Sequence, residues 1–261
     1  MKLTHNGIVT SIERIKRDYI LLSVRIDDPP VFNPGQFMMI QISDAPNSYD
    51  PLLLRPFSIF REHNRVYEFL IKVVGRGTQA IADFRNGRRI LVTGPYGNGF
   101  PAIVTPHPVI AAGGAGIASV FAFVQQLHSK GIAYELLYGA RTSGELILPE
   151  LMKQYNPLIS TDDGSRGYHG RLTGLLKTRI KNNSTIVACG PMPMLKSVKD
   201  IAVRHGIKCY LSLEARMACG FGVCLGCTIF DVEGNTKRVC KEGPVFDARE
   251  VSFGRQADKD H

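Results

Sequence analysis

Along the first hundred residues the apolar positions come in short bursts rich in Val, Ile and aromatic side chains. The bursts at 20–25, 36–42, 66–74 and 89–92 predict strands, and Pro, Gly, Asn and Asp at 27–30, 33–35, 47–51 and 86–87 predict the turns between them. Short strands at this spacing predict a small antiparallel β-barrel. Within it only 78–84 has the pattern of a short helix.

From about Val104 the rhythm changes. An apolar strand at 109–112 runs into glycines and then an apolar helix at 117–130. Strands at 134–138 and 158–161, a helix at 172–181, a strand at 185–188, a helix at 193–205 and a strand at 208–213 follow. Strands alternating with helices predict a doubly wound parallel sheet. Beyond Leu213 the chain turns rich in glycine and cysteine. The expected fold class is therefore β plus α/β: a barrel domain over 1–103, an α/β domain over 104–208 and a small cysteine-bearing subdomain over 209–261.

Composition narrows the classes. Lys and Arg exceed Asp and Glu by 32 to 23, but the basic residues are scattered, which argues against nucleic acid as the partner. The first eighteen residues hold no apolar core of a secretion signal. The weakly polar run 108–124 is broken by Gly113, Gly114 and Gly116, so a membrane span is not expected either. Four of the six cysteines crowd into 219–240, a pattern of metal ligation more than of disulfides. A cytoplasmic protein is expected.

Those cysteines are Cys219, Cys224, Cys227 and Cys240, spaced C-x4-C-x2-C and then a lone fourth. This is the spacing of plant-type 2Fe-2S ferredoxins. Three thiolates on one loop wrap a cluster only if the backbone turns sharply. Gly220, Gly222 and Gly226 fall in the gaps, where a missing Cβ allows unusual φ and lets N–H groups approach sulfur. The fourth ligand is expected from a strand returning after a turn at 233–235. A structural zinc site, which usually pairs two short knuckles, and two disulfides are the alternatives.

A second constellation lies in the barrel. Arg55, Pro56, Phe57 and Ser58 stand where a strand should begin, and Gly75-Arg-Gly77-Thr78 opens the short helix. An arginine pairs with a pyrophosphate in bidentate fashion, and a Gly-Thr turn offers N–H groups and a hydroxyl to the same phosphates. Each piece alone also serves as an ordinary strand start or helix cap. Together with Gly94-Pro-Tyr-Gly-Asn-Gly-Phe100 they resemble the FAD domain of the ferredoxin reductase family.

In the second half, Gly113, Gly114 and Gly116 join a strand to a helix, as do Cys189, Gly190 and Pro191. Both turns should lie at the carboxyl edge of the sheet and present a dinucleotide pyrophosphate to a helix N-terminus. Cys189 also reads as a small buried hydrophobe. Asp162 and Asp163 end another strand at that edge, where they would hydrogen-bond a ribose or merely cap a turn. No basic pocket for a 2′-phosphate is evident, which favours NAD.

Over essentially its whole length the chain resembles the electron-transfer subunits of NAD-dependent (class 1B) dihydroorotate dehydrogenases. The likeness runs through Leu54-Arg-Pro-Phe-Ser-Ile59, Thr161-Asp-Asp-Gly-Ser165, Tyr210-Leu-Ser-Leu-Glu-Ala-Arg-Met-Ala-Cys219 and Val239-Cys-Lys-Glu-Gly-Pro-Val-Phe246. Phe57 and Ala115 depart from the usual pattern.

The resemblance implies FAD held by Arg55, Pro56, Phe57, Ser58, Leu70, Ile71, Lys72, Gly77 and Thr78. It also implies a 2Fe-2S cluster on the four cysteines, NAD as acceptor, and no catalytic acid or base in this chain. It further implies an FMN-containing dihydroorotate dehydrogenase catalytic subunit as partner, two copies of each, in pyrimidine biosynthesis. Small flavin and iron–sulfur subunits of ferredoxin:NADP or sulfur-reducing enzymes are the near alternative. A non-enzymatic iron–sulfur sensor or a zinc-stabilised binding module is the alternative of another class.

Overall fold

A computed structural model describes residues 3–42, 53–101 and 107–254. The expected turn at 47–51, the beginning of the loop leading to Arg55 and the expected boundary at 103/104 lie outside these residues.

The first half is an antiparallel sheet of β1 (Thr4–Lys16), β2 (Tyr19–Ile26), β3 (Phe37–Ile40), β4 (Arg55–Ser58), β5 (Arg61–His63), β6 (Val66–Lys72) and β7 (Arg89–Tyr96). Their order across the sheet is β4-β3-β7-β1-β2-β6-β5. The two edge strands follow one another in sequence, joined by the fully buried Ile59 and Phe60. Ile59 N–H donates to Gln36 O and Phe60 N–H to Glu68 O, which closes the sheet into a barrel. Helix α1 (Arg76–Ala82) plugs one end.

Strands β2 and β6 are nearly continuous apolar runs because both of their faces are covered. Ile20, Leu22, Val24, Phe69 and Ile71 point into the barrel, while Leu21 and Leu70 point out against the second half of the molecule. There Phe60 stacks on Phe121 with ring centroids 4.5 Å apart.

The second sheet holds β8 (His107–Gly113), β9 (Glu135–Ala140), β10 (Leu158–Thr161), β11 (Tyr168–His169), β12 (Ser184–Cys189) and β13 (Lys208–Ser212) in parallel. Its order is β11-β10-β9-β8-β12-β13, closed by β16 (Val245–Asp247), which runs antiparallel to β13. Helix α2 (Ile117–Ser129) packs on one face, while α4 (Leu172–Arg179) and α5 (Met192–Arg204) pack on the other. The short α3 (Pro149–Met152) precedes β10. Strand order reverses between β8 and β12, the place where doubly wound sheets bind ligands.

Differences from the sequence reading are local. Strand β1 was not expected: Ile8, Ile12 and Ile15 fall at helical spacing, and only the N-terminal half of the strand is well buried. The expected boundary at 208/209 runs through β13, and β16 returns the chain from the cysteine segment to the α/β sheet. A small hairpin, β14 (Thr228–Phe230) and β15 (Thr236–Arg238), lies between. No helix among the described residues is long and apolar enough to cross a membrane.

Candidate functional site

Between Leu213 and β14 the described chain holds no strand or helix, and backbone turns set its path. Gly220 and Gly222 sit at φ +80° and +90°, where a side chain costs about 1–2 kcal/mol. Gly226 does not supply the third such turn. The left-handed residue there is Leu225, at φ +59°, a conformation a leucine keeps only where its surroundings impose it. Gly226 instead donates its N–H to Cys224 Sγ at 3.5 Å.

The loop turns its N–H groups toward sulfur. Cys224 N–H donates to Cys219 Sγ at 3.5 Å, and Cys240 N–H to Cys227 Sγ at 3.4 Å. Burial alone would raise the Cys219 thiol, but N–H groups of Cys224, Phe221 and Val223 outweigh it and bring it down to about 6. Cys240 goes the other way, pushed up to about 12 by burial and by the Cys227 sulfur beside it. Cys240 is not on a strand as expected; it lies two residues past β15, in a turn closed by N–H bonds from 241, 242 and 243 to Arg238 O.

The four sulfurs come as two pairs, Cys219 with Cys224 and Cys227 with Cys240, and the pairs are linked, since Cys240 also feels the charge of Cys219. A lone zinc ion needs its ligands at about 2.3 Å from one point. Among the described residues no three thiol, imidazole or carboxylate groups form such a single-ion site. Two thiol pairs, each facing N–H donors, fit a two-metal centre with one pair per metal. Cys227 and Cys240 are buried, Cys224 is exposed, and around it Phe221, Val223 and Leu225 leave their side chains in solvent.

The cysteine loop is seated on the barrel. A Cβ on Gly220 would lie 2.8 Å from the Met39 side chain, and Met39 pairs across the sheet with Pro56. The cysteine loop thus packs on β3, the strand paired with that of Arg55, Pro56, Phe57 and Ser58, a link with no signal in the sequence.

On that strand Arg55 donates to Leu53 O at 2.8 Å. Its Nε lies 3.0 Å from where a Cβ on Gly77 would stand, so a glycine is needed for the arginine to reach the turn opening α1. Thr78 differs from expectation. Its hydroxyl accepts N–H bonds from Val74 and Gly75 and donates to Gly75 O, so it holds the turn together. The Ile71 side chain lies in the barrel core, Leu70 faces the α/β half, and Lys72 projects over the Tyr19 ring at 5.8 Å.

Ser58 leads into a buried polar row. Its hydroxyl meets that of Ser119, the one polar residue on the buried face of the first turn of α2, at 2.8 Å. Ser119 and Ser212 lie beside the Cys189 thiol, where their hydroxyls pull its pKa down against burial. Cys189 itself is fully buried and, chiefly by burial, pushed up to about 12, so it is no exposed contact for a dinucleotide.

At the switch point of the sheet lies a cavity of about 630 Å³. Gly113, Gly114, Gly116, Gly190 and Pro191 line it. A Cβ on Gly116 would sit 2.2 Å from Cys189 O, so the two glycine turns touch and no larger residue fits between them. Asp162 lines the cavity; Asp163 does not, and its carboxylate is taken by Ser165. Lys72, Arg141 and Arg171 face Glu145, Asp162 and Glu214, so no basic pocket forms, and Arg141 is itself paired with Glu145 at 2.6 Å. Glu214 is reached by solvent through the mouth yet ringed by protein, which pushes its carboxyl up.

The family described as "Iron-sulfur cluster binding domain of dihydroorotate dehydrogenase B" matches residues 214–252, a span that contains all four paired cysteines. Over 224 residues the chain is 33% identical to the "Dihydroorotate dehydrogenase B (NAD(+)), electron transfer subunit" of Caldanaerobacter subterraneus subsp. tengcongensis, covering 85% of this chain and 87% of that one. It is 37% identical over 236 residues to the corresponding subunit homolog of Aquifex aeolicus, covering 88% and 91%.

Among solved structures it superposes on one described as an NADH-dependent reduced ferredoxin-NADP oxidoreductase, with a TM-score of 0.83, 25% identity and 97% and 91% of the two chains covered. A ferredoxin NADP+ reductase from Neisseria gonorrhoeae, solved with FAD and NADP, matches in fold alone. Its TM-score is 0.67 at 16% identity, over 79% of this chain and 93% of that one.

Proposed function

The chain belongs to the family of dihydroorotate dehydrogenase B (NAD(+)) electron transfer subunits, and from that premise we propose how its residues divide the work. Cys219, Cys224, Cys227 and Cys240 would hold a 2Fe-2S cluster, the point at which this chain would meet an FMN-containing catalytic subunit that oxidises dihydroorotate. Arg55, Phe57, Ser58, Gly77 and the turn held by Thr78 seat FAD. Gly113, Gly114, Gly116, Gly190 and Pro191 present NAD⁺. Two copies of each subunit make the complex, and the exposed Phe221, Val223 and Leu225 beside Cys224 are the side turned to the partner. The working units are 1–103 for flavin, 104–208 for the nucleotide and 209–261 for the cluster, the last sharing its edge strands with the second.

When bound, the cluster carries single electrons and the flavin exchanges them for the pair carried by a hydride. Everything else is positioning by this chain. Loop N–H groups offset the negative charge that four thiolates concentrate. Met39 seats the cysteine loop on β3, the strand beside that of Arg55. The Ser58–Ser119 hydrogen bond ties the flavin strand to the first turn of α2, beside Cys189 at the nucleotide site. Asp162 is placed to accept from ribose hydroxyls.

The observation that carries this reading is the proximity of the four thiols inside the matched segment, in a loop that packs on Met39 of the strand next to that of Arg55. Reconstitution tests it. With the FMN subunit the chain should reduce NAD⁺ in a dihydroorotate-dependent reaction, and Cys224→Ser should abolish that rate while NADH oxidation by artificial acceptors persists. A Cys224→Ser variant with full coupled rate contradicts the reading. The fit to the NADH-dependent ferredoxin-NADP oxidoreductase favours a second one, in which ferredoxin is the electron partner. Ferredoxin-dependent NAD⁺ reduction without the FMN subunit would select it.

A further inference from the structure

We propose that Arg238, clamped by Glu242, is a positioning residue of the cysteine centre that shapes its loop and raises its reduction potential. The proposal rests on the reading that the four cysteines hold an iron–sulfur cluster, and it adds a charged pair that no cysteine spacing announces.

Arg238 ends β15 and stands between the two arms of the centre. Its Nη1 donates to Gly222 O at 2.8 Å, in the loop between Cys219 and Cys224. Its own carbonyl gathers the N–H groups of 241, 242 and 243, which bend the chain around Cys240. Gly222 is held from the other side as well, since a Cβ there would lie 2.8 Å from the Lys241 side chain. One residue thus ties the three-cysteine loop to the turn of the fourth.

The guanidinium is oriented, not free. Glu242 takes Nε at 3.0 Å and Nη2 as well, and it also accepts Arg238 N–H at 2.7 Å. The carboxylate therefore covers one edge of the guanidinium, and the opposite edge faces the cysteine loop. Both side chains are about 70% covered, at 28% and 30% exposure, where solvent screens a charge less than it does at the open surface.

Reduction adds negative charge to a cluster. A cation held on the loop side favours that state, and an anion behind the cation opposes it. The two members of the pair should therefore pull the potential in opposite directions, which no purely structural clamp would do.

The experiment is a mediated redox titration, followed by EPR, of the intact cluster-loaded chain and of Arg238→Gln, Arg238→Lys and Glu242→Gln. Arg238→Gln should lower the potential and Glu242→Gln raise it. Arg238→Lys should stay nearer wild type while loading its cluster less completely. Equal shifts of one sign in Arg238→Gln and Glu242→Gln, or no shift in either, would overturn the proposal. Should Arg238→Gln not fold, Glu242→Gln decides alone: a potential at or below wild type overturns it. A wild-type chain that binds no iron overturns the cluster reading and this proposal with it, whereas a loaded chain with unresponsive variants overturns the proposal alone.

Discussion

The carboxyl edge of the parallel sheet and the cysteine loop both rely on glycine turns, but they are held in opposite ways. At the sheet edge the turns join regular elements, and their geometry follows from β8, β12 and the helices packed on them; Gly116 has no room for a side chain because Cys189 O is already there. In the cysteine segment, residues 213–244, Gly220, Gly222, Gly234 and Leu225 sit at positive φ, and the regular pieces are two three-residue strands. The first site is made by the fold. The second has little apolar core besides Cys227, Val239 and Cys240, so its own ligand must supply much of what holds it.

Breaking the iron-side contacts should therefore produce the largest effect. Cys227→Ser, or anaerobic removal of iron, should loosen residues 213–244 and leave the sheet and barrel folded. Hydrogen exchange would show it as lost protection confined to that segment. Uniform protection in the stripped protein would contradict the comparison.

The counterpart at the sheet edge is Gly116→Val. Overpacking against Cys189 O should cost about 1–3 kcal/mol or more and weaken nucleotide binding, with the iron content unchanged. Chemical denaturation, NAD titration and iron analysis on one preparation check all three.

Acid sharpens the contrast at smaller scale. Glu242 is brought down to about 2, chiefly by its hydrogen bonds to Arg238. Its folded value lies below the unfolded carboxylate value of about 4.3, so its stabilisation is fully present above that pH and is lost as pH falls toward 2. Wild type should exceed Glu242→Gln in stability at pH 6, and the gap should close on acidification through that window. A gap independent of pH would count against the clamp.

The smallest effect is expected from Leu225→Gly. Relief of about 1–2 kcal/mol of left-handed strain is offset in part by the greater freedom of glycine in the unfolded chain, leaving a gain of under about 1 kcal/mol. Thermal unfolding of the loaded protein measures it.

The same contrast governs what the sequence discloses. The α/β elements were legible because β8, β12 and their helices carry local apolar periods. The cysteine spacing was legible because it is a local pattern of residue types, and it falls inside the segment matched by the iron-sulfur cluster binding domain. Residues whose role depends on a distant neighbour were not. Ser119 is one serine in an apolar helix until Ser58 and Cys189 are brought beside it. Met39 reads as core until Gly220 packs on it. Arg238 and Glu242 are four apart, but at a strand end and the turn after it, outside any helix in which that spacing would mark them as partners. Gly226 shows the reverse error: a glycine sat where a left-handed turn was needed, and the turn went to its neighbour Leu225. Local pattern gives elements, whereas the row at Ser119 and the clamp at Arg238 arise from contacts that only the assembled chain makes.

Metal and sulfide analysis of the anaerobically isolated chain, joined to its EPR spectrum after reduction, is the most direct check that the four thiols hold a two-iron centre. Two irons and two acid-labile sulfides per chain, with a paramagnetic signal appearing on reduction by NADH and missing from Cys224→Ser, is the predicted result. A single zinc per chain, or protein without iron or sulfide, would contradict it.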